Sequence, residues 1–530
     1  MRLLTQLYIN ILAISCLPLA TTVYAQADQN QLRVQLNSDI RSTNPGVNRD
    51  DNTDGVLMHL TEGLVALKED LEVGPLLAKD VSISDDGRQY TFTLRDNVHF
   101  HNGATLTADD VVWNFTRYLD PKTTWRCLSE FDGRGISKIE SVTAVDALTV
   151  VVTLDQPSGL FLKTLSRPDC GGTAILHPDS VDSDGNWQTP IGTGPYQLDE
   201  WRKGQYIVLK KFANYQSLEG PRDGFTGGKH AQVDTLRYMI IPESSAAKAA
   251  LYSGAIDIMP SASSADVPEF ESRSDIQVKT AASMNLVGLL FQTQDPILRD
   301  PRIRHALALS LDIAELTEAT TEGIAKANIS IVPASSSYYG EQQAHIPAAD
   351  LDKAKALLQE ANYRGQPIKL IANKRYPSSF DSAIMVQAMA AQVGLNIELE
   401  ILDWATQLDR YTSGNYSAMT FTYSARLDPS LNFEMISGDK SKQPRKVWDN
   451  AEARQLLQQS MISSDKAERQ QLFDQLHALY MQDMPMLVFY NGTDVAALSP
   501  KVQGYSGWPA DKPRFWNVYF GEPTSGATQE

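Results

Sequence analysis

His99 and His101 stand two residues apart in a stretch that alternates like a strand, so both imidazoles fall on one face and could meet a single metal ion. No carboxylate or cysteine lies at ligand spacing from them, the ligand count of a metal site is not reached, and no metal or cofactor is expected. Hydrolytic chemistry fares no better. No serine is flanked as G-x-S-x-G, Gly192-Thr193-Gly194 is not a nucleophile elbow, H-E-x-x-H does not occur, and the 8 histidines are scattered without a triad pattern. No catalytic residue is expected. A binding site remains open to the chain, since an arginine's planar fork can take two carboxylate oxygens and aromatic rings can cover a ligand's apolar part.

The most ordered-looking stretch that could support such a site is residues 76–119, LLAKDVSISDDGRQYTFTLRDNVHFHNGATLTADDVVWNFTRYL. Val81 and Ile83 alternate with polar residues, Asp85-Asp86-Gly87-Arg88 supplies turn chemistry, and Tyr90, Phe92 and Leu94 alternate again, which predicts a hairpin with one buried face. Asn102-Gly103 makes a second turn. Thr107 can then cap a helix with Asp110 three residues on, and Val111, Phe115, Tyr118 and Leu119 fall on one side of it.

This run closely resembles the signature of the family 5 extracellular solute-binding proteins, the peptide, opine and nickel-chelate receptors of ABC importers, with its pattern D-G-x-x-Y-T-F-x-L-R-x-x-V-x-F-H-x-G-x-x-x-T-A-x-D-V. Four further segments resemble the family: Thr193-Gly194-Pro195-Tyr196 with Trp201, Ser253-Gly254-Ala255-Ile256-Asp257-Ile258, Asp300-Pro301-Arg302-Ile303-Arg304, and the closing strand-rich stretch that ends near Tyr519. The resemblance therefore runs from about Leu32 to Tyr519. It implies an α/β, two-lobed periplasmic binding protein type 2 fold of class C, with an extra subdomain in the first lobe. The expected division is residues 1–25 as a signal peptide, 26–283 as lobe I with an inserted subdomain at about 61–190, 284–491 as lobe II, and 492–530 as a return to lobe I. The two crossings between lobes are placed near Ser283 and Asn491.

Composition agrees with an exported protein. Hydrophobic residues at 42% and charged residues at 21% describe a globular chain, and 530 residues exceed what one core usually organises. Arg2 precedes an apolar run from Leu3 to Ala20, and Val23-Tyr24-Ala25 offers small residues where a signal peptidase reads, so cleavage after Ala25 is expected. Ala13-Ile14-Ser15-Cys16 is a weak lipobox, and lipidation at Cys16 is the alternative. Removal of the signal leaves Cys127 and Cys170, which in an oxidising compartment most simply form one disulfide, two buried thiols being the other reading. A formal charge of −17 repels phosphate backbones, so nucleic acid is not an expected partner. The expected partners are a small-molecule or short-peptide ligand and an inner-membrane ABC permease, and the chain itself is expected to be a monomer.

The resemblance also places a ligand between the lobes and names the residues that would line its cleft: Asp39 and Asn44 after the first strand, Ser283, Met284 and Asn285 at a crossing, Arg375 and Tyr376 after the strand at 368–372, and Trp404, Tyr423, Arg426 and Asp428. In the dipeptide receptors an Arg at the place of Arg375 pairs with the ligand's terminal carboxylate; a solvated surface pair with Lys374 is the plainer reading. Those receptors carry an Asp a few residues before the D-P of this loop to accept the ligand's ammonium. Alignment on Asp428-Pro429 puts Ala425 there, or Arg426 if the loop shifts by one. An arginine beside an unpaired ammonium in a semi-enclosed cleft costs several kcal/mol, so ordinary peptides are disfavoured and a ligand with two anionic groups is expected. Compensation of Arg426 by Asp428 is the alternative for that pair. The function implied is a periplasmic receptor for a small peptide-like or opine-like, anionic solute; an exported peptide-holding chaperone is the second reading and an exported hydrolase the third.

Overall fold

A computed structural model describes residues 30–522 except Arg49, Ile136, Arg375, Tyr376, Ala425 and Asp511. Cys16 and the expected cleavage site lie outside the described residues, as do Arg375, Tyr376 and Ala425.

The first strand, Gln31–Leu36, buries Leu32, Val34 and Leu36 from its QLRVQL alternation. It pairs in parallel with Thr235–Ile240 on one side and with Ile258–Ala262 on the other. Parallel neighbours need a crossover, and helix Ser244–Tyr252 supplies it by burying Ala247 and Leu251. Those two parallel strands flank the first one rather than pairing with each other. The hairpin of Tyr196–Arg202 and Tyr206–Lys211 completes this side of a 10-stranded sheet.

At the centre of that sheet run two long antiparallel strands, Gln277–Phe291 and Met486–Leu498. Only their apolar halves, 286–291 and 486–490, stand out in the sequence; both strands are longer because each continues from one lobe into the other. Their ladder breaks between Ala282 and Leu286. Beyond the break the second lobe adds Ala418–Tyr423, Ile368–Ala372 and Ile397–Ile401, the last two parallel. Within Gln277–Phe291, Val287, Leu289 and Phe291 enter one core while Leu286 and Leu290 enter another. A strand covered by helices on both faces must be apolar at successive positions, which is why 286–291 reads as a continuous hydrophobic run.

The signature segment forms its own layer. Ala78–Ile83, Gln89–Leu94, Thr149–Leu154 and Ile139–Asp146 make a four-stranded antiparallel sheet. Helix Ala108–Leu119 packs on it through Val111, Phe115 and Tyr118, and its start is fixed by Asp110, whose Oδ2 accepts from both the Thr107 amide and the Thr107 hydroxyl at 2.8 Å. Cys127 and Cys170 form the expected disulfide, with Cα atoms 5.5 Å apart, and the Trp125 indole donates to the Cys170 carbonyl beside it. Trp508 and Trp516 are buried in the first lobe. No helix among the described residues is long and apolar enough to cross a membrane.

Candidate ligand-binding cleft

The loop after the first strand is held by its own lobe. Asp39 accepts from the Trp201 indole at 3.0 Å and the Gly204 amide at 2.7 Å, and Asn44 is buried with its carbonyl on Arg117 at 2.8 Å. Both side chains therefore brace this loop against the neighbouring hairpin and subdomain.

At the ladder break, Ser283 and Met284 are buried, and Met284 sits among Met58, Leu71, Leu76 and Trp508. Leu427, from the second lobe, packs on this first-lobe cluster. Asn491 ties the crossing together: its Nδ2 donates to the Asn285 carbonyl at 3.2 Å, while its Oδ1 accepts from Asn328 at 2.9 Å and the Ala334 amide at 3.0 Å. A buried carboxamide that satisfies three backbone and side-chain partners fixes one local geometry between the strands.

On the second lobe, Asn373 and Lys374 border a cavity of about 640 Å³ with Ile401, Leu402, Asp403, Trp404 and Ala405. Trp404 opens helix Trp404–Ser413, which Asp403 caps by accepting from the Thr406 amide at 3.1 Å. Its ring is half-buried, 5.7 Å from that of Phe421, and it shares the cavity with Asn373 and Lys374. Lys374 lies over the Phe380 ring at 5.1 Å. Tyr423, expected on the cleft floor, is instead buried, with its hydroxyl donating to that of Tyr411 at 3.3 Å. Burial, with Tyr411 beside it, raises the Tyr423 phenol well above its usual range, so it stays neutral.

The loop at 424–428 divides in two. Arg426 is half-buried and engaged with a neighbour. Asp428 is fully buried: its Oδ1 accepts from Arg469 at 2.7 Å and from the Ser430 amide at 3.0 Å, capping helix Pro429–Ile436. Burial opposes ionisation of this carboxyl, but Arg469 outweighs it and holds the group below the ordinary carboxylate range. Asp428 is thus withdrawn from ligand contact, contrary to its place among the cleft residues, because the chain supplies it a buried cation 41 positions away. Arg469, Leu427 and Asn328, which hold this region together, carry no local signal in the sequence.

The two histidines do not converge. His101 Nε2 lies 3.1 Å from the Gly194 carbonyl and His99 faces Thr105. Among the described residues the one cluster with metal-ligand composition is Cys127, Asp169 and Cys170, whose sulfurs are already joined.

Two lobes on a shared sheet, crossed by two strands and faced by polar and aromatic loops, define a binding protein that encloses its ligand. The model for bacterial extracellular solute-binding proteins, family 5 Middle, matches residues 72–444, and the chain belongs to this family. It is 28% identical over 472 residues to the dipeptide-binding protein of Escherichia coli (strain K12), covering 84% of this chain and 86% of that protein. It is 26% identical over 482 residues to heme-binding protein A of Haemophilus influenzae, covering 85% of each. HbpA2 from Haemophilus parasuis superposes with a TM-score of 0.80 at 24% identity, over 93% of this chain and 100% of that one. Family 5 proteins are substrate-binding components of ABC transporters, so this chain binds a solute and is not an enzyme.

Proposed function

We propose that this chain is a periplasmic receptor that captures a small peptide-like or opine-like solute bearing two acidic groups and delivers it to an inner-membrane ABC permease. The observation that carries this reading is the commitment of Asp428 to Arg469 at 2.7 Å. Residues 424–427, Ser-Ala-Arg-Leu, then offer no carboxylate to a ligand ammonium, while Lys374, Arg375 and Arg426 supply cations from the same lobe. A zwitterionic dipeptide would bring its ammonium to a loop without an acid. A dianionic ligand would meet guanidinium groups suited to bidentate pairing. Heme, named for one relative, shares that charge pattern, with two carboxylates and no ammonium; a dipeptide, named for another, does not.

Closure is by rotation of the lobes about the crossings near Ser283–Asn285 and Asn491, supported by the ladder break there and the bonds of Asn491. Trp404 covers the apolar part of the ligand, Arg375 and Tyr376 hold one acidic end, and Arg426 the other. The leader is removed after Ala25, and the mature chain acts as a monomer with no affinity for nucleic acid. Native mass spectrometry of the exported protein tests the reading. The expected spectrum shows one small molecule per chain, released on denaturation as a species with at least two acidic groups. Recovery of simple zwitterionic dipeptides, or of a chemically altered ligand, overturns it.

A further inference from the structure

The subdomain meets the second lobe along a face that the two strand crossings do not require. The Gly159 amide donates to the Met461 carbonyl at 3.0 Å, and a Cβ on Gly159 would lie 1.8 Å from the Ser463 carbonyl oxygen, so only glycine permits this approach. On the other flank, Glu72 accepts from the Ser337 hydroxyl and pairs with Lys466 at 3.3 Å.

Between these contacts lie two incomplete partners. Lys163, on the short helix Phe161–Leu165, is buried, and among the described residues its ammonium donates only to the Leu71 carbonyl. Across the lobe boundary, next to Leu427, which packs on the cluster holding Leu71, is Asp428, whose Oδ1 holds Arg469 and Ser430 while its Oδ2 has no hydrogen-bond partner among the described residues. A buried ammonium with unused hydrogens and a buried carboxylate oxygen with unused lone pairs are each costly alone and strongly favoured together. Each also lies within reach of the other's charge. Burial lowers the Lys163 ammonium, and Asp428 is the largest influence opposing that; Lys163 in turn helps keep Asp428 ionised. Glu72 and Asp70 add attraction at Lys163, and Arg469 repels it.

We propose that Lys163 is a positioning residue that clamps the substrate loop to the subdomain: a small further approach of the lobes lets its ammonium take the free Oδ2 of Asp428. The clamp fixes the base of the segment carrying Arg426 and Leu427 without touching the solute. The lobes would then close partly on their own, and part of the affinity for a solute would reside in side chains that never meet it. The role given to residues 424–428 rests on the function proposed above; the ion pair itself does not, and its test needs no solute.

Spin labels at Asp85→Cys in the subdomain and Lys442→Cys in the second lobe, both exposed, report the interlobe distance in ligand-free protein, with the native cysteines held in their disulfide. The expected distribution includes a short-distance population that Lys163→Met reduces by about threefold or more, the scale of a partly screened ion pair, and that Lys163→Arg restores. In an Asp428→Asn background, Lys163→Met should change nothing further. An unchanged distribution in Lys163→Met, or additive effects of the two substitutions, overturns the clamp. If Asp428→Asn does not fold, the contrast between Lys163→Met and Lys163→Arg decides alone.

Discussion

Asp54 offers a stability test with a definite sign. It lies on helix Asp51–Leu57 with 2% exposure, and neither carboxylate oxygen has a hydrogen-bond partner among the described residues. The Arg126 guanidinium approaches only to 4.0 Å and is committed to Asp169 at 3.0 Å. Lys512 attracts it as well but is bonded to Asp51. Burial therefore wins over both cations, and the carboxyl is pushed up from 3.8 to about 7. A folded pKa above the unfolded one means that the native state binds this proton more tightly. Its contribution is fully present below about pH 4 and is lost as pH rises towards 7. At 1.36 kcal/mol per pKa unit the loss amounts to about 4 kcal/mol. Asp54→Asn removes the titration. Urea unfolding of the two proteins across pH 4 to 8 should show the variant gaining on the wild type by up to about 4 kcal/mol, with the gain growing between pH 4 and 7 and level above. A difference independent of pH, or one favouring the wild type at pH 8, would refute the argument that Asp54 is an uncompensated buried acid.

Arg426→Ala should weaken the native solute by about 1.5 to 3 kcal/mol if a charge-assisted bond is lost, measured by calorimetry, whereas a solvent-facing arginine would change it by less than about 0.5 kcal/mol. Intact mass of exported protein should begin at Gln26 and rise by two hydrogens on reduction; a lipid-modified Cys16 would be seen directly as added mass. Opening the Cys127–Cys170 loop, with a sequence separation of 43, should cost about 4 kcal/mol by loop-closure entropy, read from unfolding with and without reductant. Glu62 and Lys229 form a buried pair at 2.5 Å, with Tyr215 and Thr193 also bonded to Glu62. Glu62→Gln strands the Lys229 ammonium and should destabilise the first lobe by about 3 to 5 kcal/mol, and an unfolding midpoint within error of wild type would contradict that reading.

The segment at 76–119 was legible because its structure is made by neighbours: alternation within each strand, turns at Gly87 and Gly103, and a cap from Asp110 to Thr107 three residues back. The disulfide was legible by count, since the expected export removes Cys16 and leaves two cysteines. Family, architecture and a solute-binding role followed from motifs spread over most of the chain. The pairing of charges was not legible. In the sequence the nearest cation to Asp428 is Arg426, two residues away, whereas folding brings it Arg469 from a helix in the same lobe. Tyr423 reads as a ring beside a cleft, yet the helix Trp404–Ser413 returns Tyr411 over it and buries it. Local propensity and periodicity act between residues a few positions apart, and so the chain by itself determined its strands, caps, turns and family. Which buried charges are satisfied depends on contacts between residues tens to hundreds of positions apart, Asp428 with Arg469 and Glu62 with Lys229 among them, that exist only once the chain has folded.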